Sequence, residues 1–233
     1  MTTNPGFAHR NACRALALLL CYPDDEMRAL LPAIKAERPL EPALSGAACE
    51  ALYRLADELL AADALEVQAQ YVDCFDRGRR TSLHLFEHVH GDSRERGPAM
   101  IDLLQTYEKA GLYLTGGELP DYLPAVLEFA STQPADVAQA FLAEMAHILN
   151  ALHAALQRKG SPYAAVIAAV LELAGEPLRP IAVAEEEPVD DSWAEPEAFD
   201  GCSSAGSQRP AQPQPVHVVR RAAHAAANPG AAA

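Results

Sequence analysis

Apolar residues recur along this chain at the spacing of an α-helix, and no segment alternates with period two for long enough to form a convincing strand. A clear stripe consists of Met100, Leu103, Leu104 and Tyr107, at positions i, i+3, i+4 and i+7. Half of the residues are hydrophobic but only 6% are aromatic. Ala and Leu supply the apolar mass, and both are strong helix formers. The sequence therefore predicts an all-α fold.

Caps and helix breakers place the predicted helices along the chain. Asp24 and Ser45 stand where an N-cap is needed, and Asp121 is expected to cap a short helix ending at Phe129. Pro134 is expected to open the longest helix, which Gly160 closes. The predicted helices cover residues 8–21, 24–34, 45 to beyond 60, 65–75, about 100 to a break at 116–120, 121–129, 134–160 and 161–174.

Charge and cysteine content restrict the possible partners. The formal net charge is −14, from 18 Lys+Arg against 32 Asp+Glu, so phosphate backbones and anionic membrane surfaces would repel the chain. This acidity either suits a basic partner, such as an Arg-bearing peptide, or serves only solubility. The five cysteines are scattered and form no C-x-x-C pair, which disfavours a disulfide framework or a closed zinc site. Free thiols favour the cytoplasm.

The composition changes after Pro177. Acidic residues at 185–187 and 190–191 are followed by a segment rich in Ser, Gln, Pro and Ala, which has too little apolar surface to order itself. We expect an all-helical domain over residues 1–178 and an acidic, then Ala/Pro-rich tail over residues 179–233, mostly disordered. Trp193 and Phe199 are the tail residues that are suited to docking on a partner surface.

The sharpest local pattern is His84-Leu85-Phe86-Glu87-His88, an H-x-x-E-H string. On a helix, His84 and His88 lie one turn apart and can both bind zinc, while Glu87 can act as a general base in hydrolysis. A zinc hydrolase is therefore the alternative function. A third protein ligand would have to come from elsewhere in the chain, and a structural role for the two histidines fits the pattern as well.

The polar stretch at 88–98 is dense in hydrogen-bonding groups, and it either lines a binding cleft or forms local ion pairs. Other motifs are absent from the sequence. It has no dinucleotide-binding glycine pattern, no phosphate loop, no nucleophile elbow and no basic patch with interleaved aromatics. The sequence predicts no catalytic residues, no cofactor and no nucleic-acid partner.

The central block resembles the NarJ family, the molybdenum cofactor assembly chaperones of respiratory nitrate reductase. The resemblance lies in residues 71–77, 82–97, 99–100, 103–104, 107, 111–112, 118–124, 127–129 and 193–196. This family belongs with the TorD and DmsD redox-enzyme maturation chaperones, so the resemblance implies a single helical bundle of the TorD type. Pro98 departs from the family pattern, and we expect the helix there to begin near Gly97 because proline is costly deep in a helix.

The resemblance also implies a function. It predicts a cytoplasmic chaperone, not an enzyme, which binds the immature catalytic (alpha) subunit of nitrate reductase, mainly at its N-terminal segment. The chaperone would assist molybdenum cofactor insertion and complex assembly before membrane attachment, without stable membrane association of its own. A further possibility is an adaptor whose acidic tail does the binding.

The leader of such a client can form an amphipathic, Arg-containing helix, which suits an apolar groove with acidic walls. We expect the charged contacts at Glu118, Asp121 and Glu128, partly exposed groove residues at Leu103, Tyr107, Leu123 and Leu127, and a cleft shaped by His88, His90, Arg94 and Arg96. Tyr122 stands in this loop where relatives often carry His.

Overall fold

The structure, a computed structural model, describes residues 5–91, 93–114 and 117–181. Over these ranges it contains ten α-helices, a 3₁₀ turn at Arg79–Thr81 and no β-strand, which confirms the all-α prediction. The helices are α1 Pro5–Leu20, α2 Asp25–Glu37, α3 Gly46–Ala61, α4 Ala64–Phe75, α5 Leu85–Val89, α6 Arg96–Lys109, α7 Leu123–Thr132, α8 Ala135–Glu144, α9 Ala146–Arg158 and α10 Ala164–Leu173. Most of the predicted tail, with Trp193 and Phe199, lies outside the described residues, so the boundary near residue 178 stays a prediction.

The predicted caps of the early helices are confirmed. Oδ1 of Asp24 accepts a hydrogen bond from the Met27 amide at 2.8 Å, and Oγ of Ser45 accepts one from the Ala48 amide at 3.4 Å. Each cap satisfies an amide that has no partner inside its helix. Helix α6 begins at Arg96, one residue before the predicted start, so Pro98 lies in the first turn, where a missing N–H costs little.

The single helix predicted from Pro134 to Gly160 is wrong. Helix α8 ends at Glu144 and α9 begins at Ala146, with a turn at Met145 whose amide bonds to the Leu142 carbonyl. Helix α8 packs on α1, α7 and α10, whereas α9 packs mainly on α10 and the 3₁₀ turn. The break lets each half turn its apolar stripe toward its own neighbours, which a continuous periodicity does not reveal.

Three other predicted boundaries also need correction. Asp121 does not cap α7, which begins at Leu123 without a side-chain cap, because the Asp121 carboxylate is bonded elsewhere. Helix α6 ends at Lys109, well before the predicted break at 116–120, and Gly111 adopts the left-handed conformation (φ +79°) that closes it. The last helix begins at Ala164, slightly later than predicted.

The main core is formed around α1 and α10. Leu16, Leu19 and Leu20 of α1 are fully buried, and α10 is apolar on nearly every face, as expected of a central helix. Helix α1 packs most extensively on α7, and α9 packs most extensively on α10. A smaller cluster of Leu103, Tyr107 and Phe129 joins α6 to α7.

None of the helices in the described part of the chain combines the length and the apolar composition that a membrane span needs.

Candidate partner-binding site

The two most distinctive stretches of the sequence meet in the structure. The segment before α5 runs antiparallel to the segment before α7, with a bridge between His84 and Tyr122. The Leu85 amide donates to the Asp121 carbonyl at 3.0 Å, and the Leu123 amide donates to the Leu83 carbonyl at 2.9 Å. These backbone bonds fix the loop at 117–122 against the H-x-x-E-H string, and we call this region the junction.

Asp121 is the buried anchor of the junction. Its side chain is fully buried, and its Oδ2 accepts a hydrogen bond from the Phe86 amide at 3.0 Å. Oδ1 lies 3.4 Å from Nδ1 of His84, and Oδ2 lies 3.9 Å from a guanidinium nitrogen of Arg96. The predicted contact between Asp121 and a client charge is therefore not available at the surface, because the carboxylate serves partners inside the chain.

The contact with Asp121 raises the pKa of His84, against the opposing effect of partial burial. The 3.4 Å separation is long for a hydrogen bond, and the two atoms lack the geometry of one. We therefore describe the contact as a charge pair, which forms when the imidazole is protonated. The pair stabilises the fold because Asp121 is buried, and an unpartnered carboxylate inside a protein is costly.

The other predicted histidines and arginines also shape this region. Nε2 of His88 lies 2.9 Å from the Ser82 carbonyl, and it must carry the proton because a carbonyl oxygen only accepts. The ring of His90 packs edge-on against Phe86 at 5.6 Å. Arg96 pairs with Glu87 at 3.4 Å, and Arg94 is exposed. The histidines and Arg96 thus hold the segment in shape.

The same geometry bears on the alternative function. Among the described residues, no group of three or more His, Cys, Asp or Glu is placed to hold a metal ion. His84 faces Asp121, and His88 is bonded to a backbone carbonyl. The zinc hydrolase alternative therefore finds no support.

The apolar residues predicted to line a groove belong to the core. Leu123 and Leu127 are fully buried, Tyr107 is 2% exposed and Leu103 is 8% exposed. The Tyr107 hydroxyl donates to the Pro120 carbonyl at 2.8 Å, and this bond holds the loop of the junction in place. The partial exposure predicted for these four side chains is not observed.

Two clefts flank the junction loop. The polar cleft, of about 590 Å³, is lined by His84, Glu87, Glu118 and three tyrosines: Tyr22, Tyr71 and Tyr122. The Tyr122 hydroxyl lies 3.4 Å from that of Tyr71, and burial raises the pKa of Tyr122 to about 12. The Tyr122 ring also lies 5.3 Å from that of His84. Most polar groups on this side already contact one another.

The apolar cleft, of about 690 Å³, lies between α1, α2, α7 and the segment after α6. Its apolar walls come from Leu18, Leu30, Leu112, Tyr113 and Leu114, above a floor that includes Tyr107 and Phe129. Tyr113 is 74% exposed and Leu30 is 53% exposed. An exposed apolar surface in a concave site is typical of partner binding.

Charged residues also line this apolar cleft. Arg10 and Arg14 line it from α1, and Glu128 lines it from α7. Arg10, Arg14 and Leu30 were not identified as site residues from the sequence. For the two arginines, the available signal was the i, i+4, i+8 spacing of Arg10, Arg14 and Leu18, which forms a second stripe on α1 beside the buried one.

The known proteins that this chain resembles carry related names. Residues 41–169 match the family described as "Nitrate reductase delta subunit". NarJ of Escherichia coli (strain K12), named as a nitrate reductase molybdenum cofactor assembly chaperone, is 47% identical over 146 residues, 61% of this chain and 61% of NarJ. NarW of the same organism is 42% identical over 169 residues, 71% of this chain and 68% of NarW. NarJ of Bacillus subtilis (strain 168) is 32% identical over 157 residues, 67% of this chain and 84% of that protein.

NarW and the Bacillus protein carry the same description as NarJ, qualified as probable. The matched segment thus spans between about three fifths and four fifths of these relatives' own length. The family model covers more than half of the chain, and it includes the junction and α3 to α9 in full. The chain belongs to the nitrate reductase delta subunit family.

Proposed function

We propose that this protein is an assembly chaperone of respiratory nitrate reductase. It binds the immature catalytic subunit, chiefly at its N-terminal segment, and keeps that subunit competent for molybdenum cofactor insertion before membrane attachment. The observation that carries this proposal is an open apolar cleft next to the junction, in a chain whose relatives are named for this assembly step. The role is that of a chaperone for an incompletely folded client in nitrate metabolism, and it requires no catalytic residue.

The apolar cleft supports peptide binding on physical grounds. An amphipathic helix binds by burying its apolar face in a groove, and Leu30 and Tyr113 offer that face a surface which is now in contact with water. The net charge of −14 favours a basic segment over nucleic acid or an anionic membrane. We place the protein in the cytoplasm, where the client is made and where free thiols persist.

Calorimetry with a synthetic peptide of the first ~15–40 residues of the partner catalytic subunit tests the proposal, over the micromolar range in which flexible segments commonly bind. We expect saturable binding at a 1:1 ratio. Co-purification of the immature catalytic subunit from cells that express the reductase tests the same point with the whole client. Absence of heat together with absence of co-purification would contradict the proposal.

A matched pair of leucines identifies the binding surface. Leu30 lies in the apolar cleft and is 53% exposed, while Leu65 on α4 is 76% exposed and lies outside this cleft. Leu30→Gln should weaken peptide binding about tenfold, because the buried leucine surface is lost from the complex. Leu65→Gln should leave the affinity unchanged. Equal effects of the two substitutions would place binding elsewhere.

We also propose that residues 1–178 act as the chaperone domain and that residues 179–233 form a separate tail. Limited proteolysis with mass spectrometry tests this boundary. Early cleavage should fall beyond residue 178, and the remaining fragment should retain the affinity of the full chain for the peptide. Loss of all binding with the tail would favour the adaptor alternative.

A further inference from the structure

Two arginines of the apolar cleft have no acidic partner among the described residues. Arg10 and Arg14 line the cleft from α1, and Leu18 follows them one turn further along the helix. Both arginines are exposed, and no ion pair or side-chain hydrogen bond joins either of them to another described residue. The i, i+4, i+8 spacing places the three side chains on one face of α1, at intervals of about 6 Å.

Other exposed arginines of this acidic chain do find an acid. Acidic residues outnumber basic ones by 32 to 18, and Arg77 pairs with Asp73 at 3.1 Å. Arg38 pairs in the same way with Glu41. A guanidinium is suited to a carboxylate because its planar fork can donate two parallel hydrogen bonds. The apolar cleft thus offers two carboxylate-binding groups that the described part of the chain does not use, beside surface that suits an apolar partner.

Glu128 is the third charged residue of the cleft, and it lies on α7. It is exposed, and its carboxylate forms no ion pair with another side chain in the described ranges. A bound segment can place a basic side chain against it. The charges of the cleft therefore favour acids along α1 and a base beside α7, around a common apolar surface.

We infer that the apolar cleft selects a helical segment that carries carboxylates beside its apolar face. An amphipathic helix that lies along α1 repeats the spacing of Arg10 and Arg14 if two of its acidic residues are four positions apart. An apolar residue four positions further on then meets Leu18. The pattern is acid-x-x-x-acid-x-x-x-apolar, in this order or reversed, because a helix can lie along α1 in either sense. The inference rests on the proposed function, because the occupant is the leader of the client.

Carboxylates in the segment are compatible with a client that is basic overall. The net charge of −14 acts over distance and attracts a basic segment, whereas Arg10 and Arg14 act on contact and determine which side chains lie against α1. The basic residues of the segment then face Glu128 or the solvent. Specificity follows because a leader that placed a cation against Arg14 would bring two like charges together.

A double-mutant cycle, measured by calorimetry with the full-length protein, tests the inference. The two probes are the synthetic leader peptide of the partner catalytic subunit and the same peptide with Asn and Gln in place of its Asp and Glu. The neutralised peptide is more basic, so the net charge of the chaperone alone would strengthen its binding. We expect the opposite, a loss of about threefold to tenfold, because the charge pairs with the two arginines are gone.

The loss should depend on the two arginines. With Arg10→Gln and Arg14→Gln combined, the neutralised peptide should bind no more weakly than the unmodified one. Both substitutions are at exposed positions of a helix, where Gln is about as favourable as Arg, so the thermal midpoint should stay that of wild type. Arg54→Gln on α3 is the matched control, since Arg54 is exposed and lies outside the cleft. This control should keep the full difference between the two peptides.

Three outcomes would contradict the inference or the function on which it rests. Equal losses for the neutralised peptide with wild type and with the double arginine variant would overturn the inference. Wild-type affinity that does not fall when the acids of the leader are replaced would overturn it too. Both results leave the proposed function standing, whereas absence of saturable binding of the unmodified leader would overturn the function as well.

Discussion

The junction and the apolar cleft meet at Tyr107, which bonds to the Pro120 carbonyl of the junction loop and lines the cleft, yet the two regions differ in composition. In the junction, polar groups are buried or half-buried and contact one another. Asp121, for example, accepts a hydrogen bond from the Phe86 amide and faces His84 and Arg96. In the apolar cleft, apolar groups such as Leu30 and Tyr113 are left in water. The polar groups of the junction face partners within the chain, by hydrogen bonds or by charge contacts, whereas the cleft has apolar surface to bury against a partner.

The residues that make the sequence recognisable are therefore different from the residues that form the candidate binding surface. The junction supplies the most recognisable residues of the sequence, and most of them hold the loop in place. The cleft residues Arg10, Arg14 and Leu30 belong to ordinary amphipathic helices and carry no motif. Substitutions in the junction should therefore alter the free energy of unfolding, and substitutions in the cleft should alter affinity while leaving stability unchanged.

The largest effect is expected from Asp121→Ala. The substitution leaves the Phe86 amide without its acceptor and removes the anion that faces His84 and Arg96, which should lower the free energy of unfolding by about 3 kcal/mol. Urea denaturation followed by circular dichroism measures it. Asp102→Ala, at an exposed position of α6, is the control and should change little. A loss below about 0.5 kcal/mol for Asp121→Ala would show that the junction is not held by this carboxylate.

Tyr107→Phe should have a smaller effect of the same kind. It removes the hydroxyl that donates to the Pro120 carbonyl at 2.8 Å, at a cost of about 1–2 kcal/mol for a buried bond left unmade. Tyr113→Phe is the matched control, because Tyr113 is 74% exposed in the apolar cleft. The two variants should differ in thermal midpoint, and equal midpoints would contradict the assignment of Tyr107 to the support of the loop.

The sequence alone predicts the helical class, the early caps and the family, because these depend on local spacing and on a long contiguous block. It does not predict which polar residues are buried. Asp121 follows a proline and precedes a helix, which is the pattern of an N-cap, but its carboxylate bonds to Phe86, 35 positions earlier in the chain. Pairing between distant segments decides that outcome.

The apolar cleft was not predicted from the sequence, for a related reason. Its walls come from α1, α2, α7 and the segment after α6, and no single helix shows that its neighbours leave a gap. Leu103 and Leu127 have the same periodic spacing as side chains that line a groove, yet Leu103 is buried in the cluster between α6 and α7 and Leu127 is buried in the main core. Periodicity indicates which face of a helix is apolar, and only the packing of the helices shows whether that face is covered.

The smallest predicted effect is a pH-dependent one at His84. Its pKa is raised in the folded protein above the ordinary value of 6.5, first through its contact with Asp121. The stabilisation is therefore fully present below about pH 6.5 and is lost as the pH rises through the folded pKa. Partial burial lowers the pKa of His9 and His153 and acts in the opposite sense, so wild type and His84→Gln must be compared at each pH.

The difference in unfolding free energy between wild type and His84→Gln should be larger at pH 5.5 than at pH 8, with both pH values chosen to bracket the histidine range. His147→Gln makes the same substitution at an exposed position of α9, away from the junction, and provides the control. Asp121→Asn should reduce the pH dependence, because the contact with Asp121 is the largest cause of the raised His84 pKa and only the smaller effect of Glu87 remains, while the amide oxygen can still accept from Phe86. If the difference for His84→Gln were the same at both pH values, the charge pair would not stabilise the junction. The loop would then be held by its backbone bonds and by the bond between Asp121 and Phe86.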